Sequence, residues 1–553
     1  MIASRDRLAD VLVRATLVIA FGLFAYSGAV DGNMDMVHEG DKLAHYDALR
    51  DGKLPFRDIY IFHGFGDEVV KPLLACRWFG ESVTALRRLG GNAFFYRGPL
   101  PALGMASLAL AAAVLIRSRW LLVLILLAQS GMLLETTDRH FFAYVALALA
   151  GGYIRTGRRG FLLAAGGSAV WAALYSLDVG LFTIASLGLW SWLHPRNTME
   201  PPATADGPAI AGPRRTCGFR SIAQPLLIGG AMAAAPFIVW CLYHGILLDF
   251  IANCRTQLFD AGERNTATYP LPAWPAEAPL SGRIGAFFGP LLLFIAPPIL
   301  ILLTFVLCMT SRERGSAGSR SAGLLVSLFA ACFWASVITR PDFWHLAFAA
   351  GSIALCAVGL WSRLGEREAP RLVRVACALT LGAMLAAFVT FGQGGLIGRR
   401  CFGHEFTLIP ASLRHSDKTL ITCSIPRVGE ARVQDTHAQY LAALVGVIQR
   451  YTPPGDIWLD LTDQSLLYFL SDRRCPTRYY AREHWRHSER MQNVIVDEIL
   501  DRPLLPACVL RFANDPIHTR VDALVDRYYK IEGRIGRMEL LRCADRKAHL
   551  WVR

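Results

Sequence analysis

No two cysteines in this chain stand as Cys-x-x-Cys, and no Cys/His spacing matches a zinc site. Its 13 cysteines therefore do not read as a metal framework. Charge is scarce as well. Asp, Glu, Lys and Arg make up 18% of the 553 residues, against roughly 25% in a typical soluble protein. No basic stripe interleaved with aromatics is present, so the net charge of +13 does not point to nucleic acid as a partner. Lys and Arg cluster instead in short runs between apolar segments, the pattern of cytoplasmic anchoring. No internal repeat is visible. What the chain has in abundance is apolar sequence: 53% of residues are hydrophobic and the mean hydropathy is +0.34.

Several runs are apolar for roughly 18 residues or more, long enough to cross the core of a bilayer. After Arg5 and Arg7 the run VLVRATLVIAFGLFAYSGAV reaches Val30 and reads as an uncleaved first span. Further spans are expected near 98–115, 120–134, up to 154, 160–175, 179–193, 222–243, 285–308, 322–338, 346–361 and 375–393, about eleven in all. With a cytoplasmic N-terminus, the turns at 116–119, 155–159, 194–220, 309–321 and 362–374 fall inside, and each is Arg-rich. The acidic or mixed turns at 31–95, 135–140, 176–178, 244–283 and 339–345 then fall outside. The expectation is a polytopic α-helical membrane protein: a transmembrane domain over 1–393 with a large first outer loop at 31–95, and an extracytoplasmic α/β domain over 394–553. Segment 194–220 reads as a disordered cytoplasmic loop, rich in Pro, Ala and Gly.

In the C-terminal region, Leu441, Leu444, Val445 and Ile448 mark one face of a helix over 437–450. The runs DIWLDL, LLYFL, MQNVIVDEIL and ACVLRF continue a strand and helix alternation. Cys241, Cys308, Cys332, Cys356 and Cys377 sit in apolar runs and read as small packed hydrophobes. Cys401, Cys423, Cys475, Cys508 and Cys543 fall in the polar region, where an outside location would make them available for disulfides.

The first loop holds the densest chemistry. It carries Asp31, Asp35, Glu39, Asp41, Asp47, Asp51, Asp58, Asp67 and Glu68. Leu43, Tyr46 and Leu49 recur at near-helical spacing, which predicts a helix over 38–51 lying on the membrane surface and ended by Gly52. Other ionisable groups fall on the same outer side: Asp138 with Arg139, Asp178, Asp249 with Arg255, and Arg340 with Asp342 and His345. Such groups are costly at a membrane boundary and invite a functional reading. Each also has a plain structural one. Glu39 and Asp41 suit the first turn of a helix, Arg57 and Asp58 suit an ion pair, His63 suits a packed loop, Asp138 with Arg139 suits a helix end, and Asp178 suits a cap. A reaction that fits them is sugar transfer from a lipid phosphate. A carboxylate takes the acceptor proton, arginine neutralises the leaving phosphate, and a helix bundle houses the lipid tail.

The stretch HEGDKLAHYDALRDGKLPFRDIYIFHGFG resembles the first extracytoplasmic loop of bacterial GT-C glycosyltransferases, the class related to protein mannosyltransferases and to lipopolysaccharide-core sugar transferases. The matching pieces are HEG at 38–40 and GKLPFRD at 52–58. The turns TTDRH and TRPDFWH, the loop YPLPAW and the ending from TPPGDIWLDL onward are similar to the same group. The resemblance implies an inverting transferase, acting on a polyprenyl-phosphate sugar at the outer face of a bacterial inner membrane. The acceptor would be a glycan, lipid or protein. Where such enzymes often show Asp-Glu, this chain has His38-Glu39, so the catalytic role falls on Glu39 first and Asp41 second. Arg57, Asp58, His63, Asp138, Arg139, Arg340, Asp342 and His345 are the implied donor-phosphate and substrate residues. No D-x-D motif argues for a nucleotide sugar, and no cofactor is expected; parts of the class use a divalent metal, but no residue pattern here calls for one. The alternative is a transporter or flippase of a lipid-linked saccharide, which would carry its charges at mid-span and show two similar halves.

Overall fold

The computed structural model describes all residues except 1, 27–29, 91–97, 117, 124–137, 195–218, 261–268, 278–279, 311–316, 340, 342, 367–374, 376–381, 383–418, 516 and 552–553. Most of the expected span at 120–134, nearly all of that at 375–393 and nearly all of the 194–220 loop lie outside the described residues, as do Cys377 and Cys401. The chain forms two compact units. One comprises 1–26, 100–237 and 267–410; the other comprises 27–99, 238–266 and 411–553. The first loop thus falls in the same compact unit as the C-terminal region.

The first unit is helical. Its helices include Ile2–Ala25, Phe141–Thr156, Arg159–Tyr175, Leu177–Leu193, Ala296–Thr310, Ala317–Thr339 and Phe343–Glu366. Among the described residues, three stretches, Phe219–Tyr243, Ala286–Thr310 and Gly318–Ile338, are long and apolar enough to cross a membrane; Pro99–Leu115, Phe141–Thr156, Leu177–Leu193 and Phe348–Trp361 are shorter apolar helices. A continuous core of Leu, Ala, Phe and Val side chains joins them. Polar side chains inside it are satisfied locally: Thr183, Ser186 and Thr304 each donate to the carbonyl four residues back. A Cβ on Gly166 would strike the carbonyl of Leu226, and one on Gly229 would strike that of Leu163. Glycine therefore lets these two helix backbones touch, as small residues do between membrane helices.

The second unit is mixed. Strands β1 (Leu420–Thr422) and β2 (Arg432–Gln434) pair antiparallel. Strands β3 (Leu459–Leu461), β4 (Cys508–Phe512), β5 (Tyr529–Ile535) and β6 (Met538–Cys543) form a sheet in the order β3-β4-β6-β5, with β3 and β4 parallel and the rest antiparallel. The predicted amphipathic helix is present as Asp435–Tyr451 and buries Leu441, Leu444, Val445 and Ile448. LLYFL lies in the helix Leu466–Ser471. Cys423, Cys475, Cys508 and Cys543 are free, buried thiols.

The first loop is folded into this unit. Tyr60 is part of the apolar core that includes Leu459, Leu461, Trp485 and Val509, and its N–H donates to the carbonyl of Arg478 at 2.9 Å. The first-loop helix runs His38–Arg50, and Gly52 beyond it adopts φ +83°. It is not a surface helix with a wet polar face. Glu39, Asp41, Lys42 and His45 are buried along with Leu43, Ala44 and Ala48. Gly40 explains how: a Cβ there would collide with the backbone N of Leu466 and the hydroxyl of Ser465, so only glycine lets the two helices meet. The hydroxyl of Ser465 and the N–H of Leu466 donate to the last carbonyls before this helix, at Met36 and Val37.

Candidate active site

Two clusters of buried charge flank the first turns of the His38–Arg50 helix, and both lie in the second unit. In the first, Arg87 donates to both carboxylate oxygens of Glu39, at 2.6 and 2.8 Å. Both side chains are fully buried. The same guanidinium also donates to the carbonyls of Val30, Gly32 and Asn33, and Glu39 accepts the N–H of Asp35. Glu39 is thereby enclosed in a bidentate, charge-assisted pair, the strongest geometry available to it.

The second cluster gathers Asp41, Lys42, His45, His63, Asp67, Glu68, Lys71 and His484. Asp67 and Glu68 sit in a π-turn, Gly66–Val70, a local form frequent at functional sites. Asp67 faces two ammonium groups, Lys42 at 3.3 Å and Lys71 at 3.2 Å. Glu68 accepts the N–H groups of Phe62 and His63 and meets the Nδ1 of His63 at 2.8 Å and that of His45 at 3.4 Å. Burial still pushes its carboxyl up to about 7. Burial, with Lys42 next in weight, brings the His45 imidazole down to about 3.

Asp41 differs from its neighbours. Only 1% of it is exposed, and neither carboxylate oxygen has a hydrogen-bond partner. Burial, reinforced by the charge of Glu68, pushes its carboxyl well above the usual carboxylate range. Facing it at 3.4 Å is Nε2 of His484, whose ring stacks on Phe62 with centroids 4.2 Å apart. The C-terminal end of β3 holds His484 in place. Asp460 accepts from Thr462 and Gln464 in a tight turn, and Asp463 stands at φ +57°. From there Asp463 accepts the N–H of Glu483 at 2.5 Å. The fully buried Arg482 clamps Asp515, Asp522 and the carbonyls of Leu461 and Ile517.

The other expected residues scatter. Arg57 pairs with Asp249 at 2.9 Å and with the carbonyl of Gly245 at 2.5 Å, not with Asp58. Asp58 instead accepts the N–H of Leu54 and closes the turn. Within that turn Phe56 is held at φ +69°, an outlier for a bulky residue. It packs on Phe65 and Phe250. Asp138, Arg139 and His345 belong to the first unit. Asp138 accepts the N–H of Arg139 and the hydroxyl of Tyr175. His345 lies against Phe348, which also meets His140. Asp178 lies in the first turn of its helix and accepts from the hydroxyl of Ser176, the N-cap residue, without capping a backbone N–H itself. Arg340 and Asp342 lie outside the described residues. Lys42, His45, Lys71, Arg87 and His484 were not anticipated. His484 comes from the far end of the chain, and no local pattern announces it. Among the described residues, no group of three or more His, Cys, Asp and Glu is arranged to hold a metal ion.

No family model matches the chain, and no curated protein matches it. Among solved structures it is similar to ArnT from Cupriavidus metallidurans bound to undecaprenyl phosphate, with 12% identity over 96% of this chain and 97% of that one, and a TM-score of 0.48.

Proposed function

We propose that the chain is a membrane glycosyltransferase that moves a sugar from a polyprenyl-phosphate donor to an acceptor outside the cytoplasm, with Asp41 as general base. The observation that carries this reading is the state of Asp41: a buried carboxyl with no hydrogen-bond partner, beside an imidazole from the C-terminal region. A buried polar group left unmatched costs about 1–3 kcal/mol, and such groups ask for a functional reason. A carboxyl shifted upward is also a better base near neutrality than a solvated aspartate. In the reaction the acceptor oxygen bonds to the sugar C1 as the C1–O bond to phosphate breaks. The acceptor proton passes to Asp41, with His484 next to receive it, and the polyprenyl phosphate leaves. Lys42 and Lys71, two ammonium groups beside one carboxylate, suit the departing phosphate better than Arg57, which Asp249 already engages.

The resemblance points to Glu39 first, but its closed pair with Arg87 supports a structural role instead. The remainder of the proposal is topological: about eleven spans in a bacterial inner membrane, an N-terminus inside and the C-terminal region outside, supported by the Arg-rich inner turns. The test uses purified protein with a panel of labelled polyprenyl-phosphate sugars, beside Asp41→Asn. Release of polyprenyl phosphate by wild type and its loss in the variant is the expected result. If every donor is inert while a lipid-linked sugar crosses proteoliposomes, the transferase reading falls and the transporter replaces it.

A further inference from the structure

The helix Leu247–Arg255 and the π-turn Thr256–Asp260 that continues it have two unlike sides. On one side Leu248, Ile251, Leu258 and Phe259 are exposed, Leu248 by 79% and Phe259 by 71%. Their spacing is helical, and the exposed Arg255 falls in the same stripe. The opposite side faces the first loop. The side-chain amide of Asn253, itself buried, takes the N–H of Ile61 at 3.0 Å and gives to its carbonyl at 2.8 Å. Gln257 donates to the carbonyl of Phe62, Asp249 holds Arg57, and Phe250 packs on Phe56. Residues 62 and 63 in turn supply the N–H groups that hold Glu68.

The outer stripe is too apolar for water. Its occupant is indicated by what precedes it. Phe219–Tyr243, a helix long and apolar enough to span, ends four residues earlier with Leu242 and Tyr243 exposed. A helix leaving the bilayer and turning into an amphipathic one with a single arginine fits the headgroup layer. Apolar side chains sink there, and an arginine reaches the phosphates. We infer that Leu247–Asp260 lies in the headgroup layer of the membrane and from that position holds the loop 56–63, and with it Glu68, in register. This rests on the chain's being a membrane protein but not on its transferring sugar.

The test uses the full chain in nanodiscs containing a phospholipid with a photoactivatable group near its headgroup. Cross-linked peptides are mapped by mass spectrometry. Lipid adducts are expected on 247–260 and on 219–243, and not on the β5–β6 hairpin. Amide exchange at residues 61–63 is followed in parallel. It is expected to quicken several-fold in Asn253→Ala, and also in the double variant Leu248→Ser/Phe259→Ser. Adducts confined to 219–243, or cross-links joining 247–260 to a second copy of the chain, overturn the membrane seat. Unchanged exchange at 61–63 in the double variant overturns the coupling. Neither result touches the donor assay, which stands or falls on Asp41.

Discussion

Glu39 and Asp41 stand two residues apart on one helix, yet the structure predicts opposite consequences for replacing them. In Glu39→Gln an amide replaces a carboxylate whose two oxygens both accept from Arg87. The new NH2 would face a guanidinium that can only donate, and the buried cation would lose its counter-charge. Removing one member of a buried ion pair costs about 3–5 kcal/mol. For a cooperative unit of roughly 150–250 residues, each kcal/mol moves the melting point by about 2–4 °C, so a fall on the order of 10 °C is expected. In Asp41→Asn an amide of the same shape replaces a carboxyl whose two oxygens make no hydrogen bond. The fold should therefore barely notice, whereas turnover should fall about 10²- to 10⁴-fold with the loss of the base. Thermal melting in detergent and polyprenyl-phosphate release, measured on the same preparations, give both readouts. A Glu39→Gln protein that melts like wild type refutes the structural reading of Glu39. An Asp41→Asn protein that turns over like wild type refutes the assignment of the base.

Glu68 predicts a pH dependence. Its folded value, about 7, lies above the unfolded 4.5. The folded form therefore keeps a proton that the unfolded form has lost, and stability falls as pH rises from about 4.5 to about 7. His45, folded near 3 and unfolded near 6.5, acts in the opposite sense, its contribution being lost as pH falls below 6.5. Melting of Glu68→Gln minus wild type isolates the first term; the difference should move in the variant's favour from pH 5 to 7.5, and a flat difference speaks against a protonated Glu68. Gly40→Ala should overfill the contact with Ser465 and Leu466, at a cost of about 1–3 kcal/mol or more. Size-exclusion profiles and melting after solubilisation check it, and wild-type behaviour would disprove the close approach. Arg482→Met strands Asp515 and Asp522, so a loss of about 3–5 kcal/mol is expected, with turnover falling as His484 loses its support; an unaltered melt would count against the clamp.

Legibility from sequence follows the range of the interaction concerned. The Leu43, Tyr46 and Leu49 spacing, Gly52 as a helix stop and the buried face of Asp435–Tyr451 are nearest-neighbour matters, fixed by helical period and by the φ that glycine tolerates. The apolar runs likewise declare themselves by length alone. Partnership does not. That Glu39 meets Arg87, that Asp41 faces His484 and that Asn253 mimics a backbone partner for Ile61 are each decided by folding together segments remote in the chain. The motif HEG falls on the helix that carries both acids but does not rank them, because which carboxylate finds a guanidinium and which faces an imidazole is decided by remote segments. Local sequence, then, determined the helices, their ends and a dense acidic loop. Tertiary structure alone decided which of those acids is neutralised and which is left without a hydrogen-bond partner, since desolvation and pairing arise only when distant side chains exclude water from one another.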